Sequence, residues 1–451
     1  MTAEPSLPSE PSSVVTLKYG TFNTPQEGTE ATAMYEALLG DDAPAIITPA
    51  GAPHKASNAA AVFHLVCVMA GTGILQLPYC IRQGGWLSVG WIILAAVVSH
   101  YTGSQLIRSL YAVQGVRLTS FSDAAGAAYG TRGRIITRIF KDISSIGTCT
   151  LFLILAGYNL NALLTPEAGL LGVKGWIVAS MVVVTLPYVA MKTIQDAVAM
   201  SVFGALTTGL MVVIVVALGL LDLPNHTQHD YQWMDAWGFP IALSSICYSF
   251  GGNVVWPQVE HGLRDPRVWP RVLGIATALV SVMYVVVAVV GYAVYDAGTL
   301  SPIFINLPGG TALTVANVMV TTHVLLTTPI MMSSVSSEFE SDLEAKYQLG
   351  APCSSFLMRA VVRVPLMVLT MLIAAFVPYF ADVMALLGSL VFSMLIFVLP
   401  VMIHGKLFGW HNQSWSTYAW NIFIIAIGGV CCVVGSYQAI LALIRDFQSD
   451  A

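Results

Sequence analysis

The hydrophobic residues of this chain are grouped in long apolar runs, not in the short periodic stripes of soluble helices. Runs of about 20 apolar residues, each long enough to cross the ~30 Å hydrocarbon core of a bilayer, recur between Ser57 and Ile444. The pattern predicts an all-α integral membrane protein with about eleven transmembrane helices, numbered below as spans 1 to 11. Their predicted limits are 57–81, 86–113, 139–164, 175–191, 197–221, 236–261, 271–295, 312–337, 358–380, 382–404 and 417–444.

Glycines interrupt two of these apolar runs. A lipid-facing helix cannot leave backbone N–H and C=O groups unpaired, so a broken helix persists only where it lines a cavity inside the protein. Spans 1 and 6 each begin a group of five, and paired interruptions at such corresponding positions indicate the substrate site of an inverted-repeat transporter. The residues predicted to bind substrate are Gly71, Thr72 and Gly73 in span 1, and Phe250, Gly251, Gly252 and Asn253 in span 6.

Composition supports a membrane transporter over other classes. The chain is 56% hydrophobic and 10% charged, against about a quarter charged residues in soluble proteins, and its mean hydropathy is +0.75. An enzyme would need nucleophiles, bases or metal ligands clustered near one interface, and His404 and His411 have no companion acid. A channel would need a continuous polar stripe or a charge ring, which none of the spans has. We expect no cofactor, no metal and no nucleic-acid partner.

Basic residues are concentrated in the connections that follow even-numbered spans. In contrast, residues 222–235, between spans 5 and 6, contain no Lys or Arg. Because cytoplasmic loops carry the excess of Lys and Arg, the N-terminus is predicted in the cytosol and the C-terminus outside or in a lumen. The basic residues are Arg117, Arg132, Arg134, Arg138 and Lys141 after span 2, and Arg264, Arg267 and Arg271 after span 6.

The first 56 residues differ from the rest of the chain. They are rich in Pro, Ser, Thr and Glu, and their seven acidic residues against two lysines give a charge of −5, which equals that of the whole chain. Such a segment cannot bury enough apolar surface to fold by itself. Residues 1–56 are therefore predicted to form a disordered acidic cytosolic tail, and residues 57–445 the membrane domain.

The glycine breaks belong to a series of motifs that follow one another along residues 57–444. They are Phe63-His64 to Pro78-Tyr79 with Gly84-Gly85-Trp86, Phe121 to Gly130 with Arg132-Gly-Arg134, Phe250 to Asn253 with Glu260 to Pro266, Asn306 to Gly309, and Leu326 to Pro329. By these motifs the chain resembles the amino acid/auxin permease family, in the branch of vesicular inhibitory amino acid transporters and vacuolar amino acid transporters.

The resemblance implies a five-plus-five inverted repeat, with repeat one at 57–221, repeat two at 236–404 and an extra helix at 417–444. It also implies secondary active transport of amino acids, coupled to protons or sodium, by alternating access around a central site. It favours a vacuolar or vesicular membrane, with the plasma membrane as the alternative. An amino acid sensor built on the transporter fold remains the candidate of a different class.

One position in span 1 helps to distinguish sodium from protons as the coupling ion. Sodium-coupled members carry an asparagine four residues before the first glycine of the break, where this chain has Cys67, a poor ligand for a hard cation that prefers oxygen. Sodium could still use the hydroxyls of Thr327 and Thr328. Protons are favoured, because His64 and His323 match histidines of proton-coupled members and imidazole titrates near physiological pH.

Three further polar residues are predicted to serve the transport cycle. Asp123 follows span 2 and Glu260 ends span 6, both on the cytosolic side, where ion pairs with bases such as Arg134 or Arg264 would organise an inner gate. Tyr158 in span 3 is predicted to form a wall of the substrate pocket. Its alternative role is an ordinary interhelical hydrogen bond.

Overall fold

Every regular element that the computed structural model describes is a helix, which confirms the all-α fold. The described residues are 57–113, 117–164, 171–191, 198–227, 230–347 and 356–450, so the predicted tail 1–56 lies outside them. The helices are α1 (Asn58–Met69), α2 (Leu77–Gly84), α3 (Leu87–Leu110), α4 (Phe121–Leu164), α5 (Gly172–Ala190), α6 (Val198–Asp222), α7 (Phe239–Ser249), α8 (Trp256–His261), α9 (Trp269–Tyr295), α10 (Thr311–Tyr347), α11 (Phe356–Phe376), α12 (Phe380–Leu387), α13 (Leu399–Phe408), α14 (Trp415–Val430) and α15 (Ser436–Asp450).

Ten of the eleven predicted spans appear as helices long and apolar enough to cross a membrane. Among the described residues, nine of these spans are formed by helices without a break. The tenth is span 1, whose two half-helices meet at a bend of 43°. Span 6 is the exception, because its first half, α7, has 11 residues, short of the ~20 needed for a crossing. Together with α8 beyond its break it supplies the remaining span.

The helix of span 3 begins earlier than the hydrophobic pattern predicts. Residues 121–138, expected to form a loop, are the first part of the 44-residue helix α4. This helix is bent at Gly130, whose φ of +66° belongs to the left-handed region that glycine enters without steric penalty. Its first segment therefore departs from the direction of span 3.

The packing of the spans follows the symmetry of an inverted repeat. Helix α1 packs on α6, and α7 packs in the equivalent way on the middle of span 10, a π-helical segment at Gly388–Val398. Spans 2 and 7 pack against each other, as do spans 3 and 8. Exchanging spans 1 to 5 with spans 6 to 10 preserves all of these contacts. The repeat boundaries 57–221, 236–404 and 417–444 stay a prediction.

Local sequence explains why spans 1 and 6 break. Helix α1 stops at Met69, and Gly71 has φ −85° and ψ −142°, outside the helical region. A 3₁₀ turn at Thr72–Gln76 then leads into α2, where Pro78 occupies the first turn. Proline is suited to that position because its missing N–H would have no helical partner there. Span 6 has the same arrangement of a break followed by proline, with two glycines after α7 and Pro257 at the start of α8.

Candidate substrate site at the helix breaks

The two broken spans touch each other at their breaks. At Gly73, an added Cβ would lie 2.6 Å from Ser249 Oγ and 2.7 Å from Ser249 Cα. A contact this close to a backbone atom leaves no room for any side chain. Glycine at position 73 therefore allows the backbone of span 1 to meet the C-terminal end of α7 directly.

One hydroxyl from span 7 joins the ends of both half-helices. Tyr284 of α9 is fully buried, and its OH lies 2.5 Å from the Met69 carbonyl oxygen and 2.6 Å from that of Ser249. These carbonyls end α1 and α7, so neither has a helical partner. The single Tyr284 proton is shared between them. The sequence did not point to this residue, although a tyrosine within the valine-rich stretch of span 7 was a possible signal.

A cavity lies between the breaks and spans 3, 8 and 10, and is called the central cavity below. Within it Thr72 Oγ1 and the Tyr248 hydroxyl are 3.3 Å apart. As far as the structure describes the chain, its lining has no charged side chain and no histidine. The lining residues are Cys67, Val68, Met69, Gly71, Thr72, Gly73, Thr148, Phe152, Tyr248, Ser249, Gly251, Thr327, Met331 and Phe392.

A second cavity lies on the other side of the span 1 break, and is called the histidine cavity below. It shares Gly71 and Thr72 with the central cavity and is also lined by Thr207, Thr208 and His323. Both threonine hydroxyls donate to the Gly204 carbonyl, at 2.9 Å each. The break of span 1 is thus the wall between the two cavities.

His323 is a buried imidazole in this second cavity. The side chain is 4% exposed, and the backbone of Gly204 lies close to its ring. An added Cβ at Gly204 would come within 2.9 Å of Nδ1, so glycine makes room for the ring. Neither ring nitrogen meets the geometry of a hydrogen bond with any described residue. A buried imidazole in this state can accept a proton, a water molecule or a ligand donor.

Only part of the predicted break residues line the central cavity. Gly71, Thr72, Gly73 and Gly251 do. In span 6, Tyr248 and Ser249 line the cavity, whereas the sequence predicted that Gly252 and Asn253 would do so. The prediction was displaced because the last turn of α7, not the segment that follows the break, faces the cavity.

The remaining three break residues of span 6 have packing roles. Phe250 is fully buried and its ring packs edge-to-face on Tyr284, with centroids 5.1 Å apart. At Gly252 an added Cβ would lie 2.8 Å from Trp256 Nε1, so this glycine admits the indole. Asn253 donates from Nδ2 to the Leu395 carbonyl of span 10, at 3.1 Å. Phe250, Gly252 and Asn253 are not among the lining residues of the central cavity, and their role as substrate contacts stays a prediction.

Tyr158 does not form a wall of either cavity. Its side chain is 42% exposed, and its hydroxyl donates to the Pro378 carbonyl at 3.2 Å, in the turn between spans 9 and 10. Thr148 and Phe152 of the same helix face the central cavity instead. The prediction was wrong because Tyr158 lies ten residues beyond Thr148, roughly 15 Å further along the helix axis.

The four candidates for ion coupling are placed in different surroundings. His323 lines the histidine cavity and Thr327 the central cavity, where its hydroxyl donates to the His323 carbonyl at 2.7 Å. Thr328 is fully buried and donates to the Val324 carbonyl, away from both cavities. His64 lies half-buried on α1, also outside both linings. The structure thus concentrates the candidates on His323 and Thr327.

Glu260 joins the end of span 6 to the end of span 2 and the connection that follows it. Its fully buried carboxylate accepts hydrogen bonds from the Tyr111 hydroxyl at 2.5 Å and from Arg117 Nε at 3.0 Å. Arg117 also donates to the Pro257 carbonyl at 2.7 Å. The ion pair of Glu260 is therefore with Arg117, where the sequence suggested Arg264. Because the contact links two different spans, Glu260 fits the predicted gating position.

Asp123 forms the expected pair with Arg134, with Oδ1 and Nη2 2.7 Å apart. Both residues belong to α4, on either side of its bend at Gly130, so the pair braces one helix. Its side chains are 22% and 41% exposed, and ion pairs at that exposure contribute about 0–1 kcal/mol. Asp123 is a weaker gating candidate than Glu260.

Comparison with known proteins identifies the family. The profile described as "Transmembrane amino acid transporter protein" matches residues 54–441. The chain belongs to this family. Among curated relatives, it is 27% identical to Arabidopsis thaliana amino acid transporter AVT1E over 85% of this chain and 73% of that protein. It is 28% identical to the Homo sapiens vesicular inhibitory amino acid transporter over 84% of this chain and 75% of that one.

Solved transporter structures share the fold. An Eremococcus coleocola manganese transporter superposes with a TM-score of 0.56 at 12% identity, covering 84% of this chain and 86% of that chain. A Na⁺-coupled sialic acid symporter superposes with a TM-score of 0.55 at 12% identity, covering 91% of this chain and 95% of that chain. At these identities the likeness concerns the fold alone. The protein is a multi-pass membrane protein of an amino acid transporter family, and it is not an enzyme.

Proposed function

We propose that this protein is a secondary active transporter that binds an amino acid in the central cavity and carries it by alternating access. The contact between the two breaks is the observation that carries this proposal. Gly73 meets Ser249, and both border the same enclosed cavity. Irregular backbone at membrane depth is tolerated only where it lines such a cavity.

The chemistry of the cavity suits a zwitterion. Placing a lysine or arginine at the bilayer centre costs roughly 2.5–3.5 kcal/mol, and the cavity lining contains neither. The turn at Thr72–Gln76 begins with N–H groups that have no partner within the helix, and these suit a substrate carboxylate. Carbonyls at the end of α1, such as those of Cys67 and Val68, suit the ammonium group.

Two sets of contacts close the cavity on opposite sides. On the cytosolic side, Glu260 and Arg117 join spans 6 and 2. On the other side, Arg82 Nη1 donates to the Thr299 carbonyl at 2.8 Å, and Gln76 contacts the Ser301 hydroxyl, so α2 is held to the loop after α9. Alternating access requires that one set opens while the other stays closed.

Protons are the proposed coupling ion, with His323 as the group that carries them. The histidine cavity presents a buried imidazole and no carboxylate among its lining residues, which suits a proton better than a hard cation. Thr72 borders both cavities, so the protonation state of the His323 ring can influence the substrate site. Sodium coupling through Thr327 is the alternative.

An acidic internal organelle, vacuolar or vesicular, is the proposed membrane, with the N-terminus in the cytosol. The vesicular relative supports this location, and the basic loops after spans 2 and 6 support the orientation. A plasma-membrane location is the alternative.

Flux into proteoliposomes tests the proposal. We expect labelled neutral amino acids to accumulate under an imposed pH gradient, and to do so equally when sodium is replaced by choline. Accumulation that requires sodium would reject proton coupling. Specific binding without flux would reject transport and favour the sensor class.

His323→Gln is expected to abolish accumulation driven by a pH gradient while exchange of labelled for unlabelled substrate continues. The amide keeps polar atoms in the cavity but does not titrate near neutral pH. The measurement is the internal amino acid concentration with and without the gradient, beside counterflow. His64→Gln is the matched control, because His64 lies outside both cavity linings. Unchanged gradient-driven accumulation in His323→Gln would assign this histidine to packing.

A further inference from the structure

One wall of the central cavity is formed by the aromatic ring of Phe392, which belongs to neither broken span. Phe392 belongs to the π-helical segment Gly388–Val398 of span 10 and is 4% exposed. Short π-helical segments re-aim side chains and recur at functional sites. The segment also lies very close to α7, because an added Cβ at Gly388 would overlap the Ser244 carbonyl. Span 10 thereby presents Phe392 to the break of span 6.

The ring of Phe392 is fixed on two sides. It rests on the backbone of Gly251, where any added side chain would overlap it. Tyr248 packs against it edge-to-face, with ring centroids 5.1 Å apart. The ring has no polar function of its own, so its contribution to the cavity is shape and apolar surface. Phe152 and Met331 extend the same apolar wall.

The wall and the charge-free lining together define a substrate class. A lysine or glutamate side chain entering this cavity would find no counter-charge among its lining residues. Desolvating an unpaired charge is strongly unfavourable. The ring of Phe392 forms one side of this cavity, so its position decides how long a side chain fits.

We infer that Phe392 is the specificity-determining residue of this transporter, and that it sets the upper size limit for the side chain of a neutral amino acid. The inference rests on the proposed transport function. It deepens that function by assigning the substrate class to an apolar wall, distinct from the backbone groups that hold the carboxylate and ammonium.

The test is the initial rate of uptake into proteoliposomes for labelled alanine, leucine, phenylalanine, lysine and glutamate, each at low concentration. Phe392→Ala is expected to raise the phenylalanine-to-alanine ratio of kcat/KM by about 10-fold or more, because each methylene accommodated in an apolar pocket changes discrimination by roughly 10–200-fold. Phe392→Trp is expected to lower the leucine-to-alanine ratio. Phe392→Leu serves if the alanine variant does not fold.

Phe397→Ala is the matched control. It truncates the same residue type in the same π-helical segment, but Phe397 packs on Gly428 of span 11, outside the cavity. Its substrate ratios should equal those of the wild type. Unchanged ratios in both the smaller and larger variants of Phe392, or an equal change in Phe397→Ala, would overturn the inference. Wild-type preference for lysine or glutamate would overturn the substrate class while leaving transport intact. A wild-type protein that carries none of the five would instead reject the proposed function.

Discussion

Gly73→Leu is expected to abolish amino acid uptake while the protein still reaches its membrane. The leucine Cβ would lie 2.7 Å from Ser249 Cα, so the breaks of spans 1 and 6 must separate. Misplacement of reacting or binding groups by about 1 Å can lower a rate ~100-fold, and a reduction of this size or larger is expected here. Gly251→Leu should act similarly, because its side chain would overlap the ring of Phe392. The measurement is initial uptake normalised to membrane-inserted protein.

Gly90→Leu is the control for these two variants. Gly90 is an exposed residue of α3, and an added Cβ there has nothing within 4 Å. It introduces the same apolar side chain on a surface that faces lipid, so uptake should stay near the wild-type value. Normal uptake by Gly73→Leu would disprove that the paired breaks form the transport site.

Tyr284→Phe is expected to give the second largest loss. The change removes one oxygen and leaves the buried carbonyls of Met69 and Ser249 without a donor. An unsatisfied buried polar group costs about 1–3 kcal/mol, so we expect a lower unfolding temperature and a fall in uptake of about 10-fold or more. Thermal unfolding in detergent and initial uptake measure the two effects.

Tyr231→Phe is the control for the loss of a tyrosine hydroxyl. Tyr231 is 38% exposed, and its hydroxyl donates to the Ala293 carbonyl at 2.7 Å, near the outer end of the same α9 helix that carries Tyr284. Water can replace that donor, so stability and uptake should change little. If Tyr284→Phe behaved like Tyr231→Phe, the hydroxyl of Tyr284 would not be holding the half-helices together.

The breaks could be predicted from the sequence because they depend on local chemistry. The backbone preferences of glycine and proline are local and can be recognised from sequence alone. Gly71 and Gly73 were identified in this way inside an apolar run, and both line the cavity. Gly251 was found for the same reason. The fold class followed from the paired positions of these breaks.

The rest of the site depends on which helix faces which, and apolar runs do not encode this. Tyr284, Phe392 and Arg117 each acquire their role from a partner more than 30 residues away along the chain. Tyr158 illustrates the opposite error, because a polar residue in an apolar helix was assigned to the cavity without knowing its depth. Asn253 also lies outside the cavity lining, and its Nδ2 donates to the Leu395 carbonyl of span 10.

Cys67 provides the most direct test that the central cavity is where amino acids bind. Cys67 is a lining residue of the cavity and its side chain is 4% exposed, with Sγ beside Gly204 of span 5, whereas Cys432 lies on span 11, outside the lining, and serves as an internal control. The measurement is the rate of N-ethylmaleimide modification at each cysteine by mass spectrometry, with and without a transported amino acid. We predict that the amino acid slows modification of Cys67, at the concentrations that saturate uptake, and leaves Cys432 unchanged. Modification of Cys67 at an equal rate under saturating amino acid would contradict the assignment of the central cavity as the transport site.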